Sequence, residues 1–437
     1  MTELSETAQS AVAAALAAGA GDAEAFVSRD SGREVRVHGG EVESLTAATQ
    51  SGVGVRAWIG HRVGYAFGTD LSAAGVADED EFAAPPAPAE VEAIAGLSDP
   101  GLAATPADRI AELALTVERT ALAADERIAG VEQAVYADSS ERVAIASSAG
   151  VAGEYETSSC FAYLQALAEG EGARETGLGF GLGRGPGDLD PEAIGAEGAA
   201  RALSMIGATK PQSRSCPVVL DPTVAASFAG LIGGGLGAGA VQRGRSPFVD
   251  RLGDELAGAA LVLHDDGRDP GGSSSSPFDG EGVSRRRTAL IEDGLLQAYL
   301  YDTYTANRGE AVSTGSAARS GYRSLPSVST SNLIVGAGEL PLSGLLAAAG
   351  DGVYVTDVAG LHSGVNPVTG VFSVGASGRA IRGGELAEPL REFTIAGELV
   401  ALLAAVEATG SEPRWVPFGG SVCTPPLLVG EMAISGS

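Results

Sequence analysis

The sequence predicts an α+β chain in two parts. These are an N-terminal α/β meander domain, residues 1–212, and a C-terminal domain of mainly antiparallel strands with a few helices, residues 213–437. Three observations carry that expectation. Short apolar-polar alternations bounded by glycine or charged turns recur in both halves, as strands joined by tight connections do. Helical spacing of about four residues is confined to a handful of stretches between them. The run Lys210-Pro-Gln-Ser-Arg-Ser-Cys-Pro217 breaks both patterns and marks the boundary. A chain of 437 residues is long enough for two sizeable cores.

In order, residues 3–19 read as an alanine-rich helix, followed by strand runs at 34–38, 42–45, 54–58 and 62–67 that make an antiparallel sheet. Residues 83–89, Ala-Ala-Pro-Pro-Ala-Pro-Ala, are a proline-rich linker or extended loop. A second helix spans 107–125 with Ile110, Leu113 and Val117 on one face. Strands are expected at 131–136, 141–147 and 160–168, then a polar glycine-rich loop at 170–190 and a third helix at 191–205.

Past the boundary, residues 217–248 read as a short strand, a turn and a long helix. Val224, Phe228, Leu231 and Leu236 gather on one side of it, while Gly230, Gly233, Gly234, Gly235, Gly237 and Gly239 interrupt it. Each interior glycine costs about 0.5–1 kcal/mol relative to alanine, so packing must hold this helix together. Its bare surface suits a buried core helix or a cleft wall. A strand at 261–264 then leads into the turn Asp265-Asp266-Gly267 and a flexible serine loop at 271–276. β runs are expected at 284–292, 295–302, 333–335, 352–358, 371–377 and 379–381. A helix at 397–409 closed by Gly410 and a final strand at 427–434 complete the chain. No fixed-period repeat is present, which disfavours a solenoid or propeller.

Composition excludes several functions. With 56 acidic against 28 basic residues the net charge is −28, a surface that repels phosphate backbones, so direct nucleic-acid binding is not expected. The single lysine, Lys210, leaves no Walker loop ending in Gly-Lys-Ser/Thr and no credible Schiff-base lysine. The acidic start lacks a basic signal-peptide region, and the early apolar run at 11–20 is too short to span a bilayer. Cys160, Cys216 and Cys423 are too few and scattered for a disulfide framework. A cytoplasmic protein without membrane association is the expectation.

Candidate chemistry is sparse. The only histidines are His38, His61, His264 and His362, so no helix carries a metal-binding histidine pair. His264 beside Asp265 and Asp266 could bind a metal with distant partners or be a hydrogen-bonded structural residue. A Ser-His-Asp triad stays open because its members meet only in space, yet no G-x-S-x-G elbow is present. Cys423 could be a nucleophile or a small buried hydrophobe. Polar runs at 246–248, 279–282, 313–315 with Arg319, and Asn332 either pair with an extended peptide or do ordinary turn chemistry.

An ordered set of motifs resembles the TldD/TldE (PmbA) peptidase family, known also as modulators of DNA gyrase. The residues that carry the resemblance begin with Gly52-Val-Gly-Val-Arg56, Gly64-Tyr-Ala-Phe-Gly-Thr-Asp70 and Gly244-Arg-Ser-Pro-Phe248. They continue with Asp265-Asp-Gly267, Phe278-Asp-Gly-Glu-Gly282, Leu290-Ile-Glu-Asp-Gly-Leu-Leu296, Ser313-Thr-Gly315, Thr330-Ser-Asn332 and Thr424-Pro-Pro426. The resemblance implies two intertwined domains and a cytosolic two-subunit assembly. In the TldD-type subunit an H-E-x-x-x-H helix and a later cysteine hold zinc; the matching positions here are Ala229, Gly230 and Gly234, and Cys423 sits too near Pro425 to be that cysteine. The chain therefore resembles the TldE-type subunit. This implies no catalytic residue, metal or cofactor on this chain, with zinc on a TldD-type partner and an extended or unfolded peptide as substrate. Asp266, Glu281, Arg319 and Asn332 are the expected peptide contacts. A stand-alone binding or scaffold protein, or a hydrolase acting on a biosynthetic intermediate, is the rival reading.

Overall fold

The structure, a computed structural model, describes residues 2–68, 75–88, 91–418 and 420–436. Thr69, Asp70 and Ala89 of the motifs above lie outside the described residues. Helix α1 (Glu3–Ala17) is followed by β1 (Asp22–His38), β2 (Glu41–Ile59), β3 (Arg62–Gly68) and β4 (Gly75–Glu79). Next come α2 (Ala107–Ala124), β5 (Ile128–Ser147), β6 (Ala152–Gly170), β7 (Ala173–Gly183) and α3 (Pro191–Leu203). The strands form one antiparallel sheet in the order β4-β3-β2-β1-β5-β6-β7. The short runs read from sequence are parts of longer strands, and those at 34–38 and 131–136 contain a register shift. One face packs on α1 through Leu4, Ala8 and Val12, and farther along on α2 and α3 through Ile110, Val117, Ile194 and Ala202.

Strand β7 occupies the stretch expected to be a loop at 170–190. Its glycines alternate because the strand lies directly on α3. A Cβ at Gly177 would come 2.2 Å from the Ala202 nitrogen, and one at Gly179 would come 2.1 Å from the Ile194 oxygen. Small size, not turn formation, is what these positions require.

The C-terminal part runs β8 (Arg214–Leu220), α4 (Pro222–Gly235), α5 (Ala238–Val241), β9 (Leu263–Asp266), β10 (Arg287–Glu292), β11 (Leu295–Leu296), α6 (Thr303–Arg308), β12 (Ala317–Ala318), β13 (Ser327–Val328) and β14 (Asn332–Val335). It continues through α7 (Leu342–Ala349), β15 (Gly352–Ala359), α8 (Leu361–Gly364), β16 (Val371–Arg382), β17 (Glu385–Glu398), α9 (Leu399–Ala404), β18 (Val406–Thr409), β19 (Arg414–Val416), β20 (Ser421–Thr424) and β21 (Leu427–Ser435). Two six-stranded sheets result, ordered β11-β10-β9-β14-β20-β19 and β17-β16-β15-β8-β21-β18; β12 pairs with β13 apart from them. Because β17 also pairs with β21, the second of these sheets closes on itself.

Helix α4 packs against both sheets, on β14, β19 and β20 of one and on β8 and β15 of the other. Asp221 caps it by accepting from the Thr223 N–H, Pro222 starts it, and Val224, Phe228, Ala229 and Ile232 face the core. The helix is shorter than the spacing suggests: it stops at Gly235, and a turn through Leu236 and Gly237 leads into α5. The Ser246 hydroxyl, in the motif ending at Phe248, donates to the Gly235 carbonyl and satisfies that helix end. The expected helix at 397–409 is also divided. α9 covers only 399–404, β18 follows, and Gly410 bonds to Pro426 rather than capping a helix. Here the strand partner β21 decides, since Val406 and Thr409 find ladder bonds there.

Candidate functional site

The sheet face opposite α1 lies on the C-terminal part, and the residues that join them form a buried charge cluster. Glu24 on β1 stands opposite Arg56 on β2. The Arg56 Nε donates to Glu24 at 3.0 Å and its Nη1 donates to Glu281 at 2.8 Å. Arg319 donates to Glu24 as well, and to the carbonyls of Gly280 and Ser324. Two cations thus meet two anions out of water. Burial alone would raise the Glu281 pKa, but Arg56 and the Thr303 N–H, 2.8 Å away, hold it below the usual carboxylate value. Burial would likewise lower the Arg56 pKa, and Glu24 with Glu281 reverses that.

Beside this cluster Asp279 accepts from the N–H groups of Glu281, Val283 and Ala317, while burial and the Glu281 charge push its carboxyl well above the usual aspartate range. Asp265 accepts from both the Ser331 N–H and hydroxyl at 2.7 Å; burial raises it to about 6. The glycines of the Gly52-Val-Gly motif admit Tyr322, whose ring would lie 2.4 Å from a Cβ at Gly52 and whose carbonyl would lie 2.3 Å from one at Gly54. That contact completes a small core with Phe26, Val143, Ile145, Val151 and Phe278.

Where this junction opens, a cleft of about 450 Å³ runs between Glu141, Tyr155 and Thr157 of the sheet and Ser273–Ser276, Arg285 and Ser329–Ser331 of the C-terminal part. The serine loop is not free: the Ser275 hydroxyl donates to the Asp269 and Gly272 carbonyls, and that of Ser276 to the Phe278 carbonyl. Helix α4 lies behind this wall, since a Cβ at Gly233 would meet Thr330 and Leu333. A second hollow of about 380 Å³ lies over the first turns of α4, lined by Thr223, Ser227, Arg201, Asp357 and Phe418.

The four expected peptide contacts have these places. Glu281 is buried in the charge cluster; the Arg319 side chain is buried there too, although its backbone reaches the cleft. Asn332 is fully buried, its Nδ2 donating to the Asp266 carbonyl at 2.6 Å and to the Ser275 hydroxyl at 2.8 Å, its Oδ1 accepting from the Ser274 N–H. Asp266, half-buried, accepts from the Arg268 N–H. Glu281 and Arg319 come together; Asp266 and Asn332 form a separate pair. All four have internal partners that hold the cleft walls in place. Sequence reasoning missed Glu24, which joins the charge cluster, and Glu141, Tyr155 and Arg285, which the fold brings together along the cleft; Arg56 and Asp279 lay inside quoted motifs without an assigned part.

Ala229 is buried against Leu220, Leu263 and Leu402, Gly230 is half-buried, and Gly234 is exposed with nothing within 4 Å of an added Cβ. None offers an electron-pair donor beyond its backbone, so these positions do not fit a zinc ion. Among the described residues no group of three or more His, Cys, Asp or Glu is placed to hold a metal. His264 is buried beside Arg287, which with burial lowers its pKa, and Cys423 is held as the thiol, its pKa raised to about 11 chiefly by burial. No helix among the described residues is long and apolar enough to cross a membrane.

Comparison with known proteins agrees with this architecture. Residues 23–84, 100–206 and 213–436 match the first, central and C-terminal domains of the PmbA/TldA metallopeptidases. The chain is 29% identical to the metalloprotease PmbA of Escherichia coli O157:H7, covering 96% of this chain and 94% of that one. A crystal structure from Thermotoga maritima superposes with a TM-score of 0.89 at 24% identity, over 98% of this chain and 99% of that one. TldE from Thermococcus kodakarensis superposes with a TM-score of 0.84 at 21% identity, over 98% and 99%. With its three domain matches in order and its length shared with PmbA, the chain belongs to the PmbA/TldD metallopeptidase family.

Proposed function

We propose that this chain is the zinc-free subunit of a two-chain metallopeptidase, supplying part of the cleft for an extended peptide while a TldD-type partner holds zinc. The observation that carries this reading is helix α4. At the positions that the family resemblance matches to the H-E-x-x-x-H motif, Ala229, Gly230 and Gly234 present only backbone and methyl groups, one of them turned into the apolar core. Zinc on the partner would polarise the scissile carbonyl and activate water. This chain's own residues would hold one wall of the cleft rigid, through the Arg56 cluster and the Asn332 hydrogen bonds.

The test is co-purification with a family member from the same genome that carries H-E-x-x-x-H, with zinc analysis and peptide hydrolysis measured on each chain and on the pair. The expected result is a stable pair that holds zinc and cleaves peptides, and loses activity to a chelator. The isolated chain should lack stoichiometric zinc and cleave nothing. Stoichiometric zinc on the isolated chain, or turnover by it alone, would overturn the proposal. Failure to pair would favour a stand-alone peptide-binding protein.

A further inference from the structure

We infer that the cleft holding Glu141 is a subsite for a positively charged group of the peptide, either its amino terminus or a lysine or arginine side chain; this rests on the peptide-cleft reading above. Three charged residues line this cleft of about 450 Å³: Glu141, Arg285 and Arg319, the last with its side chain buried in the charge cluster. Two are engaged inside the chain. Arg319 donates to Glu24 and to the Gly280 and Ser324 carbonyls. Arg285 donates to the Ser276 hydroxyl at 2.9 Å and to the Gly315 carbonyl at 3.2 Å.

Glu141 is half-buried and, among the described residues, has neither an ion pair nor a side-chain hydrogen bond. Strand register explains why. Its cross-strand neighbours on the same face are Asp30 on β1 and Thr157 on β6, neither of which brings a positive charge. Burial and the Asp30 charge both raise its pKa, so the carboxylate is held at a cost that an arriving cation removes. A half-buried carboxylate without a cationic partner gains from a ligand that brings one, because its desolvation is then compensated. The cleft is within the size range of small-ligand sites, and the chain's net charge of −28 steers cations towards it.

The experiment uses fluorescent peptides that differ in one charge: a free-amine peptide, its N-acetylated form, and each with lysine or glutamine at one position. Binding by the isolated chain is read by anisotropy and hydrolysis by the co-purified pair, for the wild type and for Glu141→Gln. The expected result is about tenfold weaker binding, and a similar loss in kcat/KM, for the preferred cationic peptide with Glu141→Gln. Its uncharged counterpart should change little, and an Asp30→Asn control should cost under about twofold. Preference for the free amine assigns the amino terminus; preference for lysine in the acetylated series assigns a side chain. If the pair cleaves peptides but charge makes no difference, or Glu141→Gln leaves the preference intact, the subsite is refuted and the subunit reading survives. If no pair cleaves, yet the isolated chain binds cationic peptides through Glu141, the subsite stands and the subunit reading falls. No binding and no cleavage by any form would refute both.

Discussion

Helix α4 and the Glu24–Arg56–Glu281–Arg319 cluster both sit inside the molecule, but they are built from opposite materials. The helix is alanine, glycine and aliphatic side chains between two sheets, with no ionisable group from Pro222 to Gly235. The cluster is four formal charges that cancel, contributed by β1, β2 and two segments of the C-terminal part. Ionisable side chains therefore join distant segments at the cluster, and none stands on α4. Buried pairs of this kind specify which segments meet, because each partner left alone is costly.

That contrast can be broken most severely at Arg56. Arg56→Met strands Glu24 and Glu281 without their shared counter-ion, and chemical denaturation should show a loss of about 3–5 kcal/mol. Adding Glu281→Gln to that variant should recover part of the loss, and additivity instead would show that the pair is uncoupled.

The helix should respond to bulk, not charge. Ala229→His pushes an imidazole into a void of about 30 Å³ among Leu220, Leu263 and Leu402, with an expected loss of about 1–3 kcal/mol by the same measurement. Unchanged stability would mean that this side of α4 opens more readily than its packing implies.

The neighbouring carboxylates sharpen the comparison through pH. Asp265 titrates near 6 in the fold against 3.8 for an ordinary aspartate. Between those values the native state holds a proton that the unfolded chain has released, so stability falls as pH rises from about 4 to 6, by about 2 kcal/mol. Asp279, also raised by burial and by the Glu281 charge, adds a fall in the same direction. Asp265→Asn, whose remaining oxygen can still accept from the Ser331 N–H, should flatten the lower part of that slope in melts at successive pH values.

The smallest effect is expected at Gly234→His, whose side chain enters open space. Stability should shift by less than about 1 kcal/mol, and towards gain, since glycine is a poor helix former. Combined with Ala229→His it should not by itself create peptide hydrolysis, because the glutamate that would act as base at position 230 and a ligand cysteine are still lacking.

Local pattern was enough to place α1, α2, α3 and the strand cores, because a face that must be buried repeats at the period of its own backbone. Ile110, Leu113 and Val117 show this: the first and last are buried against β-sheet residues and the middle one packs at the edge. The alternating glycines of β7 misled for a physical reason. Glycine serves turns and close contacts alike, and only the position of α3 shows which is needed. Likewise Ser273–Ser276 reads as flexible until Asn332 and the Asp269 carbonyl are brought beside it.

By itself the sequence determined the α+β class, the family, and the lack of donor side chains at 229, 230 and 234, all of which depend on which residues are present and on their order. Only the tertiary structure decided that Glu281 and Arg319 lock into a buried cluster with Glu24 and Arg56, and that Glu141 faces a cleft with no ion-pair partner among the described residues. A charge acquires its meaning from the groups within a few ångströms of it, and in the cluster those groups come from segments more than two hundred residues apart.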